Sequence, residues 1–140
     1  MNDLKTELLF TMTADLEEVQ DVGATPHGNR RIYYVTGGKF EGPKLKGEVL
    51  PGGGDWLLLR PDGAGELDVR ATLRTDDGEL IYTVYRGILR GAPDSPDFYF
   101  RTAPMYETAS EKYGWLNQIV AVGVGKLTAT GVSYSVYEVL

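Results

Sequence analysis

Three carboxylates, Asp55, Asp68 and Glu107, stand beside aromatic or arginine-bearing segments of the chain. Burial against an aromatic raises a carboxyl pKa and a nearby guanidinium lowers it, so each can serve as a general acid or base. Each also reads, taken alone, as a hydrogen-bonded or surface carboxylate. Other chemistries find little support. His27 is the only histidine and sits in the turn-like run Thr25-Pro26-His27-Gly28-Asn29, so a metal site built from several imidazoles cannot be assembled within one chain. The chain has no cysteine, which removes disulfides and thiolate nucleophiles. The glycine run Gly52 to Gly54 lacks the Lys-Ser/Thr ending of a phosphate loop, and the following Asp55-Trp56-Leu57-Leu58-Leu59 reads as a strand, so a turn is the better reading. No metal and no cofactor are expected.

The elements that must position these groups are strands. Eighteen glycines spread over 140 residues occur with nine tyrosines and many Val, Ile and Thr, a composition typical of β-proteins. Alternating runs recur at Thr6–Thr13, Arg31–Thr36, Leu45–Leu50, Trp56–Arg60, Leu67–Thr75, Leu80–Leu89, Asp97–Thr102, Leu116–Val124 and Gly131–Val139. They predict about nine strands. Asp76-Asp77-Gly78 between two of them is a hairpin signal, so Leu67–Thr75 and Leu80–Leu89 should pair antiparallel. Helix signals are confined to Asp15–Gln20 and Tyr106–Tyr113, each a short helix or turn at most. Closure leaves short strands no free edges, so residues 1–140 are expected to form one all-β domain, a single antiparallel β-barrel.

Charge and hydropathy narrow the partners. A net charge of -6 repels phosphate backbones and anionic lipid, so no nucleic-acid and no membrane partner is expected. The longest apolar stretch, Ile119–Val124, is interrupted by glycine and far short of a spanning helix. The opening Met-Asn-Asp-Leu-Lys carries neither the basic nor the apolar region of an export signal, so a cytoplasmic location is the default expectation.

The alternation of Leu67–Thr75 puts Leu67, Val69, Ala71 and Leu73 on one face and Asp68, Arg70, Thr72 and Arg74 on the other. The charged face points either to solvent or into a ligand-binding lumen. Other strands, Asp97–Thr102 and Leu116–Val124 among them, carry apolar residues on both faces or mix aromatic with polar on one, as happens when a cavity is lined from within.

The run Gly37-Gly38-Lys39-Phe40-Glu41-Gly42-Pro43-Lys44-Leu45-Lys46-Gly47, followed by Val49-Leu50-Pro51-Gly52-Gly53-Gly54-Asp55-Trp56, forms a pattern. Arg60-Pro61-Asp62-Gly63, Leu67-Asp68-Val69-Arg70, Arg74-Thr75-Asp76-Asp77-Gly78, Ile81-Tyr82, Tyr99-Phe100-Arg101-Thr102, Glu107-Thr108 and Tyr113-Gly114-Trp115-Leu116-Asn117 extend it. Taken together the chain resembles the small bacterial and fungal proteins grouped as the domain-of-unknown-function family three-two-three-seven, over nearly its whole length. The resemblance implies a compact β-barrel of the calycin-like or allene-oxide-cyclase-like kind and supplies no general activity. Its glycines at 42, 47, 52 to 54, 63 and 78 read as turns and close backbone packing. Asp55, Trp56, Asp68, Arg70, Tyr82, Arg101, Glu107, Trp115 and Asn117 have no turn role. Within the family pattern they look like either an internal polar network tying strands together or the walls of a pocket. In the pocket reading Trp56, Tyr82 and Trp115 supply flat apolar surface and Arg70 and Arg101 hold an anionic or carbonyl oxygen.

The functional expectation is a small-molecule-binding barrel, with a lyase, isomerase or cyclase step on a hydrophobic or aromatic oxygenated metabolite as one form of it. Asp55, Asp68 or Glu107 would move a proton while Arg70 or Arg101, with Tyr82, stabilises a developing oxyanion. A carrier or sensor using the same lumen, and a structural protein forming a homo-oligomer through its outer apolar strands, remain as alternatives. The last predicts a filled, dry barrel.

Overall fold

The computed structural model describes residues 3–140. Eleven strands form one sheet: β1 (Thr6–Leu16), β2 (Gln20–Thr25), β3 (Gly28–Glu41), β4 (Lys46–Val49), β5 (Gly54–Leu59), β6 (Gly65–Thr75), β7 (Leu80–Arg90), β8 (Tyr99–Thr102), β9 (Met105–Glu107), β10 (Val120–Leu127) and β11 (Gly131–Val139). Every pairing is antiparallel, and the ring β1, β3, β5, β6, β7, β8, β10, β11 closes back on β1 as an eight-stranded barrel. The remaining strands are accessories: β2 extends a hairpin on β3, β4 bridges β3 and β6 where β5 has not yet begun, and β9 lies against the start of β7. No helix of the described residues is long and apolar enough to cross a membrane.

The expected β6–β7 hairpin forms about Asp76-Asp77-Gly78, with Leu67 opposite Gly87 and Leu73 opposite Ile81. Gly78 has φ +90°, which a side chain at this tight reversal would resist. A Cβ on Gly47 would overlap the Arg74 carbonyl, so β4 reaches β6 only because residue 47 has no side chain.

Three local readings of the sequence change. Residues 116–118, expected to begin a strand, lie instead in a 3₁₀ helix (Gly114–Gln118) that buries Leu116, and strand pairing starts at Val120. Asp15–Gln20 is the end of β1, a bend and the start of β2, and Tyr106 lies in β9, because partner strands with unpaired backbone groups outweigh weak local helix preference. The strand β2 has no sequence signal: Gln20–Thr25 is polar and pairs on one side only.

One end of the barrel is filled. Phe10 meets Phe40 at 5.3 Å between ring centroids and Tyr106 at 6.0 Å, with Leu73 and Ile81 fully buried beside them. The 3₁₀ helix packs across this end. Asn117 clamps Thr108, accepting from its N–H at 2.8 Å and donating to its carbonyl at 3.0 Å. Asp77 accepts from Thr75, Lys112 and Tyr113 and ties the hairpin to the same segment. The opposite end, where β1, β5, β7 and β10 finish and β3, β6 and β11 begin, is less completely packed. That end holds the site.

Candidate functional site

Strand alternation decides which side chains enter the barrel. On β6 the buried residues are Leu67, Val69, Ala71 and Leu73, so Asp68, Arg70, Thr72 and Arg74 face outward. On β5 the inward residues are Asp55, Leu57 and Leu59; on β3 they include Arg31, Tyr33 and Val35. These enclose a cavity of about 500 Å³ at the open end, walled chiefly by Leu16, Leu57, Leu59, Leu89, Phe100 and Val132, with Glu17 and Glu18 at the rim. Its size falls in the range, roughly 300–1,000 Å³, of small-molecule sites. The barrel is therefore not filled at this end. The outer surface has a larger groove, about 610 Å³, between Lys39, Glu48, Arg74 and Asp76, where Arg74 pairs with Glu48 and Lys46 with Asp76.

Asp55 is the inward carboxyl of this cavity. It stands opposite Tyr33 on β3 and Val69 on β6. The β5–β6 ladder pairs Asp55 with Val69 and Leu58 with Glu66, and skips the residues between. Side chains take over there: the Asp55 carboxylate accepts the Asp68 N–H at 3.1 Å, and Arg30 donates to the Trp56 carbonyl at 2.9 Å. The Asp68 N–H and the Trp56 carbonyl, left over by the interrupted ladder, are thereby satisfied. Burial among leucines and tyrosines pushes the Asp55 carboxyl up to about 6, the Asp68 N–H and the Arg30 charge opposing and the Asp68 charge adding to the rise. Beneath it lie two buried phenols, Tyr85 and Tyr134, meeting edge to face at 5.5 Å, with Phe100 edge to face on Tyr134 at 5.4 Å. Burial raises both phenols above the ordinary tyrosine range, so they stay protonated and offer neutral hydroxyls.

The other residues singled out in the sequence lie elsewhere. Asp68 is on the outer face of β6 and reaches the site through its backbone N–H alone. Trp56, Arg70 and Tyr34 do come together, but on the outside: the Arg70 guanidinium lies 5.8 Å from the Trp56 ring centroid and Tyr34 packs edge to face at 6.4 Å. Tyr82 and Glu107 are opposite each other on β7 and β9 and both exposed. Arg101 is exposed, donating to the Phe100 carbonyl at 3.0 Å and lying over Tyr99. Trp115 sits in the 3₁₀ helix under Lys44, and Asn117 beside it clamps Thr108. The structure therefore brings Asp55 to the cavity and leaves the other eight outside its lining.

Arg31, Tyr33, Tyr85 and Tyr134 are inward polar groups that the sequence did not single out. Arg31, Tyr33 and Val35 share one parity and Arg30, Ile32 and Tyr34 the other, so neither face of this stretch reads as the inner one. The available signal was positional: Arg31 faces Leu57, and Tyr33 faces Asp55, once β3 is paired with β5. Among the described residues no cluster of three His, Cys, Asp or Glu side chains is placed to hold a metal ion.

Comparison with known proteins agrees with this architecture. A UPF0311 protein from Rhodopseudomonas palustris is 36% identical over 149 aligned residues, covering 98% of this chain and 97% of that protein. The crystal structure of a β-barrel-like protein from Acinetobacter baumannii superposes with a TM-score of 0.92 at 36% identity, over 100% of this chain and 98% of that one. A more partial relative, the hydroalkoxylation enzyme phnH of Penicillium herquei, is 32% identical over 95 residues, 67% of this chain and 56% of that protein. The family described as protein of unknown function DUF3237 matches residues 4–139. The chain belongs to the DUF3237 family, in the β-barrel form that its sequence pattern implied.

Proposed function

We propose that the open end of the barrel binds a small apolar, oxygenated molecule and that Asp55 carries a proton in a lyase-, isomerase- or cyclase-type step on it. The observation that carries this reading is a single carboxyl inside the barrel, on the wall of a cavity lined mainly by apolar side chains, with its pKa raised to about 6. A group poised there exchanges a proton in either direction close to neutral pH. The apolar walls supply affinity and exclude water around the reacting atoms.

The name of the Penicillium herquei relative gives the reading a concrete form. Hydroalkoxylation adds an alcohol O–H across a C=C bond. A C–O and a C–H bond form, the O–H bond and the π bond break, and one proton passes from oxygen to carbon with no net oxidation and no leaving group. In this reading Asp55 gives a proton to the alkene carbon and takes one from the oxygen. The buried Tyr85 and Tyr134 hydroxyls are neutral dipoles behind it.

The test is incubation with 2-prenylphenol, followed by chromatography for a product of unchanged mass lacking the phenol O–H. Conversion by the wild type that falls about 10²- to 10⁴-fold in Asp55→Asn supports the reading. Equal conversion by the variant refutes Asp55 as the proton carrier. Saturable binding in the cavity with no conversion, for this and related alkenols, favours the carrier reading.

A further inference from the structure

Arg31 projects from β3 into the cavity between leucines, where its Nε is buried and has no hydrogen-bond partner. The other seven arginines are all engaged: each hydrogen-bonds or ion-pairs with a protein oxygen or lies over an aromatic ring. Arg31 alone has neither among the described residues. The acids that share its cavity are not its partners, for Asp55 is held by the Asp68 N–H and neither Glu17 nor Glu18 lies within ion-pair distance. A buried guanidinium donor is seldom left unmet in a folded protein. Departures from that rule concentrate at functional sites.

We propose that Arg31 is the ligand's anchor: the cavity takes a flat apolar molecule bearing one oxyanion or carbonyl oxygen, and that oxygen sits on the buried edge of the Arg31 guanidinium. The proposal deepens the small-molecule reading given above and rests on it. Register supports the geometry. Arg31 pairs with Leu57 and Asp55 with Tyr33, so the two charged side chains are diagonal neighbours on one inner face, with backbones about 7–8 Å apart. A ligand oxygen on Arg31 therefore leaves the adjoining carbons within the neighbourhood of the Asp55 carboxyl. The guanidinium fork offers parallel donors suited to a carboxylate, enolate or phenolate. The acidic rim at Glu17 and Glu18 and the net charge of -6 disfavour small inorganic anions, which lack the apolar body that the leucine walls can bind.

The experiment is calorimetric titration at about pH 5 with 2-naphthoate and with its neutral counterpart 2-naphthalenemethanol. The proteins are the wild type, Arg31→Met, Arg31→Lys and the cavity-blocking Leu59→Trp. We expect Arg31→Met to weaken 2-naphthoate about tenfold to a hundredfold, the loss of a charge-assisted hydrogen bond, with Arg31→Lys recovering part of it. The neutral compound should bind both with little change, and Leu59→Trp should abolish both. Arg31→Met should also melt higher than wild type, since it removes a buried unmet donor; a structural arginine would do the opposite. If both compounds bind, are blocked by Leu59→Trp and are indifferent to Arg31→Met, the anchor is overturned while the cavity stands. If neither compound binds the wild type, the anchor and the small-molecule reading fall together.

Discussion

Asp55→Asn should make the protein more stable at pH 8 and leave it nearly unchanged at pH 4. In the native state the carboxyl is held at about 6 instead of 3.8. Folded protein thus binds this proton more tightly than the unfolded chain, and a group of that kind contributes stability that is complete below 3.8 and disappears as pH rises through 6. At roughly 1.4 kcal/mol per tenfold difference in proton affinity, the wild type forgoes about 3 kcal/mol at pH 8 on account of Asp55. Asparagine cannot ionise, and its Oδ1 can still accept the Asp68 N–H that Asp55 accepts at 3.1 Å. The variant should therefore gain about 3 kcal/mol over wild type between pH 4 and pH 8, or about 10 °C in melting temperature for a chain of this size. Urea unfolding of both proteins across that range isolates the effect, because every other titrating group cancels in the difference. A difference that is flat with pH, or an Asp55→Asn protein that is less stable at pH 8, would refute the claim that burial disfavours this carboxylate. A group that lowers stability when charged, on the wall of a cavity, is the expected signature of an acid retained for chemistry and not for folding.

Three further outcomes follow from the geometry. Gly125 faces the Phe100 ring, where an added Cβ would come to 2.7 Å, so Gly125→Ala should cost about 1–3 kcal/mol in urea unfolding and narrow the cavity above Phe100. The Asp77 carboxyl is held well below the usual range by Lys112, Thr75 and Tyr113; its support for the closed end is present above the ordinary carboxylate range and lost on strong acidification. Asp77→Ala should lower the melting temperature at pH 7 and speed amide hydrogen exchange across residues 110–118. Arg101→Met and Tyr82→Ala, both on the outer wall, should leave 2-naphthoate affinity within about twofold of wild type, since neither side chain reaches the cavity.

The barrel was legible because period-two alternation is a direct image of inside and outside. Leu67–Thr75 shows this most cleanly: its leucine, valine and alanine face fills the interior and its charged face meets solvent. Gln20–Thr25 was illegible because a strand paired on one side only, and exposed over most of its length, needs no apolar face. Residues 116–118 looked like the start of a strand because they continue the alternation of the following residues, yet they lie in a 3₁₀ helix that buries Leu116 alone in the core. The site was legible in part. Asp55 shares parity with Leu57 and Leu59, so an acid on an apolar face was visible in the sequence. Trp56, Arg70 and Tyr34 do gather, but aromatic and guanidinium groups attract one another on a barrel's outside as readily as within it. Arg31 was invisible because Arg30 precedes it; only the pairing of β3 with β5 shows that one arginine points out and its neighbour in.

The most direct test of the account is a ¹³C NMR titration of the Asp55 side-chain carboxyl, assigned with Asp55→Asn, in free protein and in protein saturated with 2-naphthoate. The account predicts a midpoint near pH 6 in the free protein and a displaced midpoint when the cavity is occupied. A midpoint in the ordinary aspartate range that does not respond to the ligand would contradict it, and would return Asp55 to a purely architectural role in the interrupted β5–β6 ladder.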